Sequence, residues 1–353
     1  MPPDKYGGTE LVVHNLAEDL VLMGHDVSVL ATADSKTSAK IVPVLKKSIR
    51  GLPGASDSKI REAYKIIGLG KTVEYLKNNA FDIIHNHLGW RLLPFEKILN
   101  APVLTTFHGP LDIDYQKEIY KKYKNCDYAS ICFNQRRPML NLNFAGNVYN
   151  GIRVENFRFF EKPKDYFVFL GRMSPQKGPA QAIRIAMSAG VKLIMAAKVD
   201  MVDKEFFEKE IKPLINGKEI KFIGEVNHKQ KAELLGNARA LIAPIQWEEP
   251  FGLYFIEAMA CGTPVITMKR GSAPEIILNN ITGFICDDEN EMAQKLRMID
   301  SIDRRACRQY CRENFSSLRM AQDYLEIYKK IIRQKRESAK KFGSFLFLGR
   351  SVF

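Results

Sequence analysis

Two carboxylates, Glu249 and Glu257, lie eight positions apart in the run Trp247-Glu248-Glu249-Pro250-Phe251-Gly252-Leu253-Tyr254-Phe255-Ile256-Glu257. Pro250 and Gly252 punctuate a loop there, residues 253–260 are helix-compatible, and Gly262 supplies a stop. Glu249 therefore sits on a loop, and Glu257 about one and a half turns into a helix, so both can face one cleft at different depths. The first amides of such a helix are unpaired and lie at the positive end of its dipole, which suits a phosphate. Each carboxylate accepts sugar hydroxyls. A ligand with phosphate in its middle and hydroxyl-rich rings at both ends, such as a nucleotide sugar, would use every part. The plainer reading of the same residues is a loop acid capping a helix and a second acid on a solvated face.

Arg172 and Lys177 add to this pattern. They stand in Gly171-Arg172-Met173-Ser174-Pro175-Gln176-Lys177-Gly178, a glycine-bounded loop after an apolar strand run. A guanidinium fork and a mobile ammonium aimed at one crevice meet the charge of a departing diphosphate without a metal ion. Separately they would be surface charges; with the two-acid run and the Gly7-Gly8 turn they describe a diphosphate site. His108, in a loop after the run Pro102–Phe107, could orient a sugar hydroxyl, act as acid or base, or close a strand end. His85-Asn86-His87 has metal-ligand spacing on a strand, but no HExxH-type acid accompanies it, so no metal is expected.

The elements that must position these residues alternate. A helix with apolar spacing (Leu11, Val12, Leu16, Leu20) follows Gly7-Gly8 and stops at Gly24; a strand over 26–30 follows. Mixed strand and loop cover 40–59, and an amphipathic helix 62–76. Strands are expected over 81–85, 102–107 and 128–132, with 148–151 closing the half. The second series runs strand 165–170, helix 179–189, strand 192–196, helix 204–214, strand 220–223, helix 229–235, strand 240–244, the two-acid run, strands 264–267 and 282–286, then helices 289–298 and 316–333. Two alternating halves imply an α/β protein of two doubly wound domains facing across a cleft. The expected units are 1–155, truncated at its start, 156–335, and a basic then apolar tail 336–353. A parallel sheet normally opens with a strand before the glycine turn. Only Met1-Pro2-Pro3-Asp4-Lys5 stands there, so the first strand is expected to be missing.

Composition sets bounds. At 353 residues and 46% hydrophobic, the chain holds two full cores. No apolar run approaches the roughly 18 residues that span a bilayer, and no basic-then-apolar leader opens the chain. A cytoplasmic protein is expected, with a peripheral contact at the inner membrane face as the second reading of the tail. Six cysteines form no two-residue-gap pair, so a zinc ribbon is not expected. A net charge of +13 points to anionic partners, but no nucleic-acid-binding signature accompanies it.

At this point the residues resemble glycosyltransferase family 4, the retaining group 1 transferases of the GT-B fold. The resemblance runs from Tyr6-Gly7-Gly8-Thr9-Glu10 to about 330. It rests on Glu249-Pro-Phe-Gly-Leu-Tyr-Phe-Ile-Glu257, on Gly171-Arg172 with Lys177-Gly178, and on Pro274-Glu275. It implies two Rossmann-like domains, the second holding a nucleoside diphosphate sugar and the first an acceptor. By resemblance, Glu257 binds the ribose, Glu249 lies by the donor sugar and Arg172 and Lys177 hold the diphosphate. Gly7 and Gly8 lend loop amides, Phe251, Gly252 and Leu253 line the donor, and His108 contacts the donor sugar near its reacting face. The implied activity is hexosyl transfer, with retained configuration and without metal or other cofactor, to a glycan, lipid or small-molecule hydroxyl. Three departures stand out: the missing first strand, Gln176 where an acid is common, and Arg153 after Asn150-Gly151-Ile152 where an acid usually follows. The competing readings are a truncated, non-catalytic nucleotide-binding chain and a GT-B nucleotide-sugar epimerase or phosphorylase.

Overall fold

The computed structural model describes residues 7–348 apart from 53 and 56, with side chains described up to 337 and not at 50. The second half carries a six-stranded sheet: β7 (Phe167–Arg172), β8 (Leu193–Lys198), β9 (Ile220–Gly224), β10 (Leu241–Ala243), β11 (Val265–Met268) and β12 (Gly283–Cys286). The order is β12-β11-β10-β7-β8-β9, and every pairing is parallel. Helices cover both faces, so the strands read as near-continuous apolar runs. Leu241, Ile242, Val265 and Ile266 are fully buried.

The first half has β1 (Ser28–Thr32), β2 (Lys40–Leu45), β3 (Ile84–Asn86), β4 (Val103–Thr106), β5 (Asp127–Ser130) and β6 (Phe144–Asn147). β1 pairs with β2, and β3 to β6 form a second parallel sheet in sequence order. The expected absence of an opening strand concerns residues 1–6, which lie outside the described residues. Among the described residues no ladder joins β1–β2 to β3–β6. Packing joins them instead: the helix Gly8–Leu22 sets Ala17 against Val29 and Ala39, and Val12, Leu16 and Leu20 against the last helix of the chain.

That last helix, Ser317–Leu348, was expected to belong with 156–335 up to residue 335. Its apolar stripe of Met320, Ala321, Tyr324, Ile327, Tyr328 and Ile331 packs on Leu104, Ala129 and Val148, so it belongs with the first half. The chain thus crosses between halves twice, and the crossings lie side by side. Ile152 donates to Phe315 O at 2.9 Å, and Ser317 donates to Ile152 O at 2.9 Å. Three further local expectations shift. The closing strand is Phe144–Asn147, leaving 148–151 as loop. The 204–214 helix is broken into a short α-turn, a π-turn and a 3₁₀ turn around Pro213. An unforeseen helix, Arg304–Phe315, turns Cys307, Cys311 and Phe315 inward at four-residue intervals. Among the described residues, no helix is long and apolar enough to cross a membrane.

Candidate active site

In the second sheet the strand order reverses between β7 and β10: β8 and β9 lie to one side of that pair, β11 and β12 to the other. A crevice forms at such a switch point, beyond the carboxyl ends of the two strands. The loop after β7 carries Lys177, and the loop after β10 carries Glu249. Gly178 adopts φ +72°, and a Cβ there would lie 2.1 Å from Pro244 O, so only glycine lets these loops touch. Gln246 N donates to Gln176 O at 2.8 Å, and this backbone bond, independent of the side chain, accommodates the Gln176 departure.

The touching loops bring Lys177 and Glu249 into a buried ion pair, 7% and 6% exposed, Nζ to Oε2. The same Glu249 oxygen accepts from Trp247 Nε1 and from Tyr254 OH, each at 3.2 Å. The Lys177 ammonium lies 4.7 Å from the Tyr254 ring centre and 5.4 Å from that of Trp247, so the two rings flank the cation they help to anchor. Deeper in the cleft Glu257, 3% exposed on the helix Leu253–Ala260, pairs with Lys231 at 2.5 Å. Lys231 comes from the helix His228–Asn237, whose start is fixed by a reciprocal cap between Asn227 and Gln230. Sequence reasoning missed Lys231, because one lysine within Lys229-Gln230-Lys231-Ala232-Glu233 reads as solvated surface. Arg172 ends β7 with its guanidinium 4.0 Å from Asp200, which also holds Lys198 at 2.6 Å.

The first half supplies the opposite wall. The helix Gly8–Leu22 starts at the cleft, and a Cβ on Gly8 would lie 3.2 Å from the Leu253 side chain of the other half. His108 follows β4, and its Nε2 meets His87 Nδ1 at 2.8 Å. His87 lies against His85, ring centres 3.9 Å apart, so the two rings share a face as strand alternation requires. They do not converge on a common point: His85 Nδ1 meets Tyr328 OH at 2.6 Å and its Nε2 meets Thr106 Oγ1 at 2.7 Å. Among the described residues no group of three or more His, Cys, Asp or Glu is arranged to hold a metal ion. Burial pushes His85 down to about 3 and His108 to about 4, and holds His87 well below the usual imidazole range, so all three are neutral near pH 7.

All ten residues singled out in the sequence line one cleft of about 390 Å³: Gly7, Gly8, His108, Arg172, Lys177, Glu249, Phe251, Gly252, Leu253 and Glu257. Glu248 instead turns toward the other half, accepting from Asn134 Nδ2 at 2.9 Å and from Gly271 N at 2.8 Å. Glu275 accepts from the backbone N–H groups of Phe133 and Asn134, each at 2.7 Å, and from Tyr149 OH at 3.0 Å. Arg153, the third departure, pairs with Asp19 at 3.1 Å.

Comparison with known proteins agrees with this architecture. A family model described as "Glycosyl transferases group 1" matches residues 153–316, and one described as "Glycosyltransferase Family 4" matches 6–140. An uncharacterized glycosyltransferase of Methanocaldococcus jannaschii is 25% identical, over 87% of this chain and 88% of its own. The crystal structure of AviGT4, a glycosyltransferase involved in avilamycin A biosynthesis, superposes with a TM-score of 0.72 at 21% identity, covering 94% of this chain and 92% of that one. Anabaena HepE, crystallised with UDP and glucose, also gives 0.72, at 17% identity over 93% and 97%. These structural likenesses carry the GT-B fold. With the sequence models matching on both sides of the crossing at Ile152, the chain belongs to glycosyltransferase family 4.

Proposed function

We propose that the chain moves a hexosyl group from a nucleoside diphosphate sugar to an acceptor hydroxyl with retention of anomeric configuration. The observation that carries this reading is the convergence at the switch point: a buried lysine and an arginine for the diphosphate, a carboxylate at each end for hydroxyls, and a helix start opposite. In the proposed reaction the bond from the anomeric carbon to the diphosphate oxygen breaks, and that oxygen keeps the electron pair. The acceptor oxygen attacks from the same face and gives its proton to the departing phosphate. Arg172 and Lys177 stabilise the charge that develops there, which is where fixed cations lower a barrier most. Glu257 takes the ribose hydroxyls, Glu249 the donor sugar, and His108 faces that sugar from the other wall. The UDP and glucose named with Anabaena HepE support this donor class.

The test is calorimetric binding of UDP, GDP and ADP, each with and without an attached hexose and with EDTA present, to the chain and to Glu257→Ala. One nucleotide series is expected to bind, and to lose about 1.5–3 kcal/mol in the variant, because Glu257 makes charge-assisted bonds. No binding to a folded chain, or equal binding by the variant, would overturn the donor assignment; binding only after EDTA is replaced by magnesium would overturn the metal-free reading.

A further inference from the structure

The His85-Asn86-His87 run has no part in the reaction just described, yet it ends against the cleft. His87 Nδ1 lies 2.8 Å from His108 Nε2, and the other His108 nitrogen, Nδ1, makes no hydrogen bond among the described residues while the ring lines the cleft. Two imidazoles in such contact hold one N–H between them, whichever ring supplies it. That contact restrains rotation of the His108 ring and fixes its tautomer, as the orienting partner of an active-site histidine does. His87 is itself held from behind, stacked on His85, whose two nitrogens are engaged by Thr106 and Tyr328. Tyr328 belongs to the Ser317–Leu348 helix, so the line of contacts starts at the interdomain crossing helix and ends at the cleft wall.

We propose that His87 is a positioning residue for His108: it sets the ring plane and the tautomer with which His108 Nδ1 meets the donor sugar. This rests on the donor reading above. The neighbourhood favours an uncharged pair. His85 and His87 are the titratable groups on the β3 side, Tyr324 and Tyr328 stand behind them, Glu10 lies at the helix start, and Arg172, Lys177 and Glu249 line the far wall. Burial keeps His108 near pKa 4, so it offers one fixed donor or acceptor throughout the range from about pH 5 upward. Removing the His87 ring would admit water, raise His108 toward the ordinary imidazole value, and free the ring to turn.

The experiment compares His87→Ala with His87→Asn, whose side-chain amide reaches the place of Nδ1. Turnover is followed against pH, and histidine-selective nitrogen NMR follows the six imidazoles of the parent and the five that remain in each variant. In His87→Ala, kcat is expected to fall about ten- to a hundredfold with the donor KM changed about twofold or less, since a misplaced reacting geometry costs rate more than binding. An acid limb absent from the parent near pH 6 should appear, and the His108 resonance should titrate at higher pH. His87→Asn should recover most of the rate. Equal loss in both variants with an unmoved His108 titration, or no loss in His87→Ala, would overturn the proposal. If the parent turned over no sugar nucleotide the donor reading would fail, and the His108 titration and tautomer signals would still decide whether His87 governs that ring.

Discussion

Lys177 and Glu249 line the cleft, and both are buried with their charges matched to each other. A charge at that depth is costly unless paired, and removing one partner leaves the other uncompensated. Lys177→Ala should therefore lower unfolding free energy by about 3–5 kcal/mol, in addition to a fall in kcat/KM of about a hundred- to a thousandfold from the lost cation. The double variant Lys177→Ala/Glu249→Gln removes the stranded carboxylate charge while keeping an oxygen for Trp247 and Tyr254. It should be more stable than the single variant and no more active. Urea unfolding with parallel turnover separates the two effects. Equal urea midpoints for the single and double variants would show that Glu249 is solvated well enough without Lys177, and that the pair is not what holds these loops together.

The elements show how much of this was legible beforehand. The helix Leu253–Ala260 falls where the two-acid run predicts it, because Gly252 and Gly262 bracket it with positive φ and its interior has no breaker. The second-half strands were legible because burial on both faces leaves unbroken apolar runs. The helix Arg304–Phe315 was not, since Arg304 and Arg308 defy the rule that charge faces water. The Arg304 guanidinium donates to the carbonyls of Phe160, Ala238 and Gly236, and that of Arg308 to Phe157, so the arginines tie loop ends together from inside. Lys231 and the His87–His108 contact were invisible for a related reason: each joins positions far apart in sequence through one side chain that leaves no periodic trace. Gly178 was legible only as the end of a loop; its contact with Pro244 was not, and that contact makes a prediction. Gly178→Ala puts a methyl at the place of Pro244 O in a left-handed conformation, so it should cost about 2 kcal/mol or more. It should also weaken nucleotide binding at least about tenfold by parting the Lys177 and Glu249 loops. Thermal unfolding and calorimetry on the variant check both. Unaltered affinity would mean that the loops need not touch for the cleft to form.

At the scale of the molecule, the halves are joined by two adjacent crossings and by a polar latch. The crossings can serve as a hinge: Gly151 lies against Ser316 so closely that a Cβ would stand 2.4 Å from its carbonyl oxygen, and the strands of the crossing hold each other by backbone bonds. The latch is Glu275. Its carboxylate takes two N–H groups at the start of the 3₁₀ turn Asn134–Met139 and the Tyr149 hydroxyl, whose own proton is held more firmly through burial and then the nearby Glu275 charge. Glu248 adds a fourth bond across the halves through Asn134. The charged side chains proposed for the phosphate and ribose lie in the second half, whereas the Gly7-Gly8 turn and His108 lie in the first, so the latch should govern the reaction geometry more than nucleotide capture. Glu275→Ala is expected to leave nucleotide affinity within about twofold while kcat falls about tenfold or more, because the closed state that assembles both walls becomes less populated. Small-angle scattering of the variant should show a larger radius of gyration in the absence of nucleotide. Glu275→Gln, which keeps one oxygen acceptor, turns the other into an amide donor and loses the charge, should fall between the parent and Glu275→Ala. A Glu275→Ala chain that binds nucleotide more weakly with kcat intact would reverse the assignment, making Glu275 part of the donor site and leaving closure to the hinge alone.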